Sequence, residues 1–110
     1  MFGCGYATNT QPVNNAGTAY PHTTLDVSKA SIESMFSVNV FGAILLTQAV
    51  IPHMPPGGRI INISSVASKL GLEVAPVYAA SKAALDNISY TWAQEVSKCW
   101  CRLKTSLILA

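Results

Sequence analysis

Charged residues are scarce in this 110-residue sequence: they make up 11% of it, whereas 50% of the residues are hydrophobic. A domain of this length has much surface and little interior, so a self-contained unit should carry more charge. The composition therefore favours a part of a larger core. The net charge of +2 gives no reason to expect nucleic acid or an anionic membrane as a partner.

Cysteine is also scarce, with residues only at Cys4, Cys99 and Cys101. An odd number of cysteines without a secretion signal predicts reduced thiols and a cytoplasmic protein. A structural zinc site needs four ligands. Because His22 and His53 stand far from the cysteines and from each other, we predict no metal site.

The sequence lacks a recognisable targeting segment. Its first ten residues contain no basic side chain and no apolar core, unlike a signal peptide. The most apolar run, from Val40 to Ile51, is too short to cross a bilayer and contains Thr47 and Gln48. We therefore predict a buried helix there, and no membrane as a partner.

Apolar residues at helical spacing predict a long helix from Ser28 to His53 and a second one from Pro76 to Cys99. Ser28 is a candidate N-cap, and Pro76 suits the first turn of a helix. The predicted core stripes are Ile32, Phe36, Val40, Ala43, Ile44, Thr47 and Ile51 in the first helix, and Ala80, Ala84, Leu85, Ile88, Trp92 and Val96 in the second.

Three short segments have strand character. The first is the extended piece at Val13 to Gly17, and the last is Thr105 to Ala110. Between them, Arg59 to Ser65 is almost continuously apolar, which predicts a strand buried on both faces of a parallel sheet. We expect residues 66–75 to form a loop. The alternation of strands and helices predicts an α/β fold with right-handed crossovers and helices on the faces of a parallel sheet.

Tyr78 and Lys82 are four residues apart (82 − 78 = 4), so they share one face of the second helix. A nearby ammonium favours an ionised phenol, and such a phenol is a better proton shuttle near neutral pH. This chemistry suits the interconversion of an alcohol and a carbonyl. Taken alone, the spacing favours an exposed amphipathic pair, which occurs by chance on many helices.

Ser65 ends the predicted central strand, at the edge of the sheet where ligands bind in open α/β folds. Its hydroxyl could hold a substrate oxygen beside Tyr78, or it could cap a turn, a role that Ser64 could also fill. Asn39 lies among apolar neighbours inside the first helix. Its amide either serves the same site or is a structural group satisfied by a carbonyl.

Together, four motifs resemble the short-chain dehydrogenase/reductase family in order and spacing. They are Asn14-Asn15-Ala16-Gly17, Asn39 in Val-Asn-Val-Phe-Gly, Ser64-Ser65 after Ile-Asn-Ile, and Tyr78-Ala-Ala-Ser-Lys82. The resemblance covers residues 12–95. It implies a Rossmann-like, doubly wound parallel sheet in three layers and an oxidoreductase that uses NAD or NADP to interconvert a small alcohol and a carbonyl.

The resemblance also implies a role for each catalytic residue. Tyr78 would be the acid/base, and Ser65 would orient the substrate oxygen. Lys82 would favour the ionised phenol and hold the nicotinamide ribose hydroxyls, while Asn39 would keep a water in a proton relay through Lys82. The implied cofactor-binding residues are Asn14, Ala16, Gly17, Tyr78 and Lys82.

The glycine-rich phosphate loop of the family, Thr-Gly-x-x-x-Gly-x-Gly, has no counterpart. Gly3-Cys4-Gly5 is the nearest candidate, but Thr8 stands where the third glycine would be needed. We expect residues 1–110 to form one partial domain that lacks the first βαβ units, with divergent ends at 1–11 and 96–110. A truncated product or a faulty gene boundary would account for this.

The missing units lead to two expectations about activity. The chain should be marginally stable, with weak or no catalytic activity and weak cofactor affinity, because an edge of its parallel sheet is left open. Alternatively, it is a non-catalytic relic that associates with intact family members through its two long helices. The same helices are the expected surface for a homo-oligomer.

Overall fold

The structure, a computed structural model, describes the backbone of residues 11–55, 57–99 and 104–109 and the side chains of residues 11–55 and 57–96. The elements in chain order are β1 (Val13–Asn14), α1 (Lys29–Phe36), a π-helical turn (Ser37–Phe41), α2 (Gly42–Val50), a 3₁₀ turn (Ile51–His53), β2 (Arg59–Ser64), α3 (Ala67–Leu70), α4 (Pro76–Cys99) and β3 (Lys104–Leu109). The predicted alternation of strands and helices is confirmed. The predictions that fall on residues 1–10 and 100–103 lie outside the described residues.

The three strands form one parallel sheet in the order β1-β2-β3. β2 is the central strand: Asn62 is in register with Asn14 of β1, and the whole of β2 pairs with β3. Parallel neighbours require long crossovers, which α1 and α2 provide before β2 and α4 provides after it. The predicted parallel α/β fold is therefore confirmed.

Both crossovers pack on the same face of the sheet. The neighbouring side chains of Asn14 and Asn62 point to this face, and they bond to Thr47 of α2 and Ser89 of α4. Accordingly, Ile60, Asn62 and Ser64 are fully buried, whereas Ile61 and Ile63 on the opposite face are half-buried. The prediction that β2 is buried on both faces is wrong within the described residues, because these helices cover only one of its faces.

The first long helix is helical from Lys29 to His53, as predicted, but it is not a continuous α-helix. A π-helical turn interrupts it at Ser37–Phe41, centred on Asn39. π-Helical turns are uncommon in proteins, and those that occur often lie at functional sites. Ser28 is the predicted N-cap, and its Oγ accepts the Ser31 N–H at 3.1 Å.

Length and composition alone would let the Lys29–His53 segment span a membrane, with a mean hydropathy of 1.7. A core helix of a soluble protein has the same properties. Here Met35, Asn39 and Thr47 of this segment are almost completely buried against the rest of the chain. The predicted absence of a membrane partner stays a prediction.

The core stripes are partly as predicted. Val40, Ala43, Thr47, Leu85, Trp92 and Val96 are buried, and Phe36, Ile44, Ile51, Ala84 and Ile88 are half-buried. Ile32 and Ala80 are exposed, so their assignment to the core is wrong. At Ala80 the reason is that the inner face of α4 carries polar residues instead, among them Ser81, Lys82 and Asp86.

The expected loop at 66–75 contains the short helix α3, and this correction has a local cause. The Ser65 Oγ accepts the N–H of Ala67 at 3.2 Å, which satisfies a free donor at the start of the helix. At its end, Gly71 adopts φ 76° and its N–H bonds to the Ala67 carbonyl at 2.8 Å. A serine before and a glycine after a four-residue segment are start and stop signals for a helix.

Candidate active site

A cavity of about 380 Å³ opens where β1 and β2 end. This is the edge at which open α/β sheets bind their ligands. It is lined by Asn15, Gly17, Thr18, Ala19, Ile63, Ser64, Tyr78 and Lys82. The cavity therefore brings together residues from three of the four motifs, and it receives both members of the Tyr78–Lys82 pair.

Tyr78 and Lys82 enter this cavity from the first turns of α4. The Lys82 Nζ lies 5.9 Å from the centre of the Tyr78 ring and donates to the Ile63 carbonyl of β2 at 2.9 Å. Lys82 is only 4% exposed. Burial lowers the pKa of its ammonium, and the negative charge of Asp86 opposes that change. The cation is thus held at the strand end, close to the phenol.

Asn39 is fully used as a hydrogen-bond donor. Its Nδ2 donates to the Thr18 carbonyl at 2.9 Å and to the Ser81 Oγ at 3.0 Å, and its Oδ1 accepts the Thr18 N–H at 2.7 Å. The side chain therefore ties the loop after β1 to α4, which agrees with the structural alternative for this amide. It does so beside Lys82, since both side chains face Gly17.

Gly17 lies directly beside the Lys82 and Asn39 side chains. A Cβ at this position would lie 3.3 Å from the Lys82 Nζ and 3.4 Å from the Asn39 Oδ1. The first of these contacts is tighter than an ordinary van der Waals contact, and the second is at its limit. An alanine here would force the end of the Lys82 side chain to shift slightly, so the available space favours glycine.

Of the two adjacent serines, Ser65 takes the capping role, which was one of the alternatives expected for it. Ser64 lines the cavity, and its Oγ is 3.5 Å from the Lys82 carbonyl oxygen. Ser65 is 8% exposed, and its Oγ caps α3 by accepting the Ala67 N–H. Ser65 thus fills the turn role that Ser64 might have filled. An accepting hydroxyl keeps its own proton, so Ser65 retains a donor.

Asn14 points into the core and not into the cavity. Its Nδ2 donates to the Asn62 Oδ1 at 2.6 Å and to the Thr47 Oγ1 at 3.2 Å, and the Asn62 Nδ2 donates to the Ser89 Oγ at 2.7 Å. This buried chain joins both strands to both long helices. Sequence reasoning missed it, although the polar interruption of each apolar run at Asn62 and Thr47 was a signal.

Ala16, like Asn14, borders a different hollow from the cavity that receives Tyr78. This hollow of about 220 Å³ lies between β1 and the first helix, and Gly42, Ala43 and Leu46 are among its other lining residues. Of the three residues expected near a cofactor from the first motif, only Gly17 lines the cavity at the strand ends.

His22 anchors the loop that follows β1, and sequence reasoning treated it as an isolated histidine. Its Nδ1 lies 2.6 Å from the Tyr20 carbonyl oxygen, which can only accept, so Nδ1 carries the proton. Its Nε2 then accepts the Val77 N–H at 3.3 Å, a free donor in the first turn of α4. His22 therefore holds the backbone of Val77, the residue immediately before Tyr78.

Asp86 is the second missed residue. Burial by itself would raise the pKa of its carboxyl, but hydrogen bonds from Ser64, Ser68 and Lys69 outweigh that effect and leave the pKa lowered. The signal was an acidic residue one helical turn after Lys82 within a mostly apolar face.

Comparison with known proteins agrees with the parallel sheet and with the four motifs. A family model for short chain dehydrogenases matches residues 12–103. The chain belongs to the short chain dehydrogenase family, so the resemblance inferred from its motifs is confirmed.

Among its curated relatives are reductases of fungi. The L-xylo-3-hexulose reductase of Hypocrea jecorina is 40% identical over 93 residues, which cover 78% of this chain and 31% of the relative. The L-xylulose reductase of Aspergillus niger is 38% identical over 94 residues, which cover 77% of this chain and 32% of the relative. The chain thus spans about a third of the length of these proteins.

Solved structures agree on the fold. The landomycin C-6 ketoreductase LanV, crystallised with NADP and rabelomycin, has a TM-score of 0.84 at 27% identity, covering 90% of this chain and 40% of LanV. A short-chain dehydrogenase from Streptomyces avermitilis has a TM-score of 0.82 at 31% identity, with 90% and 36% covered. The partial Rossmann-like α/β fold is confirmed.

Proposed function

We propose that this chain carries the acid/base half of an NAD- or NADP-dependent oxidoreductase that interconverts an alcohol and a carbonyl. The observation that carries the proposal is the convergence of Tyr78 and Lys82 in one cavity at the carboxyl end of β2. The reductase names of the relatives support a small carbonyl compound as the substrate.

The proton chemistry falls to the chain's own residues. During reduction, the Tyr78 hydroxyl would give its proton to the substrate oxygen, and in the reverse direction the phenolate would take the alcohol proton. The Lys82 ammonium favours that phenolate by its charge. The Ser65 hydroxyl proton would bond the same substrate oxygen and hold it towards the phenol.

The residues present fit the nicotinamide–ribose part of the cofactor. Among the described residues, the Ile63 carbonyl is the one hydrogen-bond acceptor of Lys82, so two of its three ammonium protons remain for ribose hydroxyls. Because Gly17 has no side chain, no Cβ at that position crowds the Lys82 Nζ. When bound, the cofactor supplies or accepts the hydride. We expect weak affinity, because no glycine-rich phosphate loop occurs in the described part of the chain.

Asn39 would contribute by position. Its bonds to the Thr18 backbone hold the loop beside Lys82, where the water of a proton relay would sit. Asn14 would act indirectly and would not contact the cofactor. Its buried bonds to Asn62 and Thr47 hold β1 against β2 and α2. Ala16 lies in the segment that connects β1 to Gly17.

A second candidate is a non-catalytic chain that associates with intact family members. The observation in its favour is a set of exposed apolar side chains at the end of the π-helical turn and on α2. Phe41, Leu45 and Leu46 are 55%, 62% and 45% exposed. An apolar surface of this kind is typical of an interface.

The two candidates predict different results for the purified chain. An oxidoreductase should change the absorbance of NADH or NADPH when mixed with ketoses and other ketones, the compound classes suggested by the names of the relatives. A non-catalytic partner should give no such change and should co-elute with a full-length family member on size exclusion. Co-elution without turnover would favour the second candidate over the first.

A further inference from the structure

The short helix α3 depends on a neighbouring helix for its position. Its four residues are far fewer than an independent helix needs, and Leu70 on its outer side is 85% exposed. The contact that anchors it is a buried carboxylate of α4. The Asp86 Oδ2 lies 2.6 Å from the Ser68 Oγ and 2.9 Å from the Lys69 Nζ.

Ser68 links this carboxylate to the residue at the end of β2. Its Oγ is 2.7 Å from the Ser65 carbonyl oxygen as well as 2.6 Å from the Asp86 Oδ2. One hydroxyl proton can serve only one acceptor at a time, and the charged carboxylate is the stronger of the two. The Ser65 carbonyl also receives the Ser68 N–H at 3.0 Å, so it is not left without a donor.

The same carboxylate acts on Lys82. Asp86 follows Lys82 by four residues (86 − 82 = 4), so the two side chains share the buried face of α4. Its negative charge opposes the loss of the Lys82 cation that burial favours. The Asp86 side chain is 3% exposed, and solvent therefore screens this interaction poorly.

We propose that Asp86 is a positioning residue of the active site: its carboxylate ties α3, and with it Ser65, to α4, and it places a negative charge on the same buried helix face as the Lys82 ammonium. The proposal rests on the proposed function for the roles of Ser65 and Lys82, but the tether itself requires neither cofactor nor substrate. Asp86 acts through these two residues and touches no reacting atom.

The first arm of the test measures amide hydrogen exchange at Ala67, whose N–H bonds to the Ser65 Oγ. We expect Ser68→Ala and Lys69→Met each to accelerate this exchange about tenfold, because each removes a bond that holds α3. Lys29→Met is the matched control, since it breaks an exposed pair with Glu33 at 3.6 Å. Ala67 exchange in both variants equal to that in the control would overturn the proposal.

The second arm measures the titration of Lys82 by NMR of 13C-labelled lysine. In the unaltered chain, the side-chain resonance of Lys82 should move over the pH range in which the Asp86 carboxyl takes up its proton. In Asp86→Asn the pKa of Lys82 should fall further, because the opposing charge is gone while burial remains, and Asp86→Glu should restore it. Faster Ala67 exchange with an unaffected Lys82 would reduce Asp86 to a structural anchor and would also overturn the proposal.

Neither arm depends on turnover or on any single variant. If Asp86→Asn does not fold, the coupled titration in the unaltered chain decides the Lys82 part, and Ser68→Ala decides the Ser65 part. A chain that meets both expectations but shows no oxidoreductase activity would contradict the proposed function and leave the positioning role standing.

Discussion

The Lys82 ammonium lies 5.9 Å from the centre of the Tyr78 ring and is anchored to the Ile63 carbonyl of the central strand. Lys82 is thereby fastened to the sheet and not only to its own helix, and its ammonium is held near the Tyr78 ring. This anchorage explains how a common spacing on a helix becomes a defined site at the strand end.

Gly17→Ala should damage the site selectively. The new Cβ would lie 3.3 Å from the Lys82 Nζ, so the ammonium would have to shift slightly, which its bond to the Ile63 carbonyl opposes. We expect a loss of stability of about 1–2 kcal/mol and several-fold weaker nicotinamide-cofactor binding, measured by urea unfolding and cofactor titration.

Gly42→Ala is the matched control for that substitution. Its new Cβ would meet only the Ser37 carbonyl oxygen at 3.6 Å, an ordinary contact, and alanine is the better helix former. It should leave cofactor binding unchanged. Equal weakening by both substitutions would contradict the close approach of Gly17 to Lys82.

Asn39→Ala should cost about 2–4 kcal/mol in the free energy of unfolding, because it leaves both polar groups of the Thr18 backbone and the Ser81 hydroxyl without this partner. Asn87→Ala, at an exposed position on α4, should change it by less than about 0.5 kcal/mol. Urea denaturation of both variants checks this. If Asn39→Ala loses no more unfolding free energy than Asn87→Ala, the hydrogen bonds of Asn39 do not hold the loop to α4.

Removal of the His22 imidazole should loosen the start of α4. His22→Ala takes away the acceptor of the Val77 N–H, so amide exchange at Val77 should rise by about fivefold or more. His53→Ala, at an exposed position in the 3₁₀ turn, should leave Val77 unaffected.

Asp86 should make stability sensitive to acid. The pKa of its carboxyl is lower in the folded chain than its ordinary value of 3.8, so its contribution is complete above that value and is lost as the pH falls through the folded pKa. Urea midpoints of the chain should therefore decline on acidification below about pH 4, and more steeply than those of Asp86→Asn. Parallel declines would contradict the assignment.

Features that depend on local spacing were predictable from the sequence. The Tyr78–Lys82 pair, the strand end at Ser64 and Ser65, and the parallel order of strands follow from periodicity and from the alternation of elements. The capping position of Ser65 also follows from local chemistry, since Gly71 stops the short helix that Ser65 begins.

Features that depend on distant partners were not predictable. The bond between Asn14 and Asn62 joins residues 48 apart, and that between Asn39 and Ser81 joins residues 42 apart. A hydrophobic pattern describes which face of an element is buried, but not which polar groups meet there. For the same reason the core assignment of Ala80 was wrong, because half of the buried side chains in the described part of α4 are polar, namely Ser81, Lys82, Asp86 and Ser89.

The most direct test of the central claim compares cofactor-dependent turnover by the unaltered chain, Tyr78→Phe and Tyr90→Phe. Tyr90 is 56% exposed on the same helix and serves as the control. The account predicts slow oxidation of NADH or NADPH with a carbonyl substrate, lost in Tyr78→Phe and retained in Tyr90→Phe at equal helical content. Turnover that survives in Tyr78→Phe, or a chain that binds cofactor and substrate without any turnover, would contradict it.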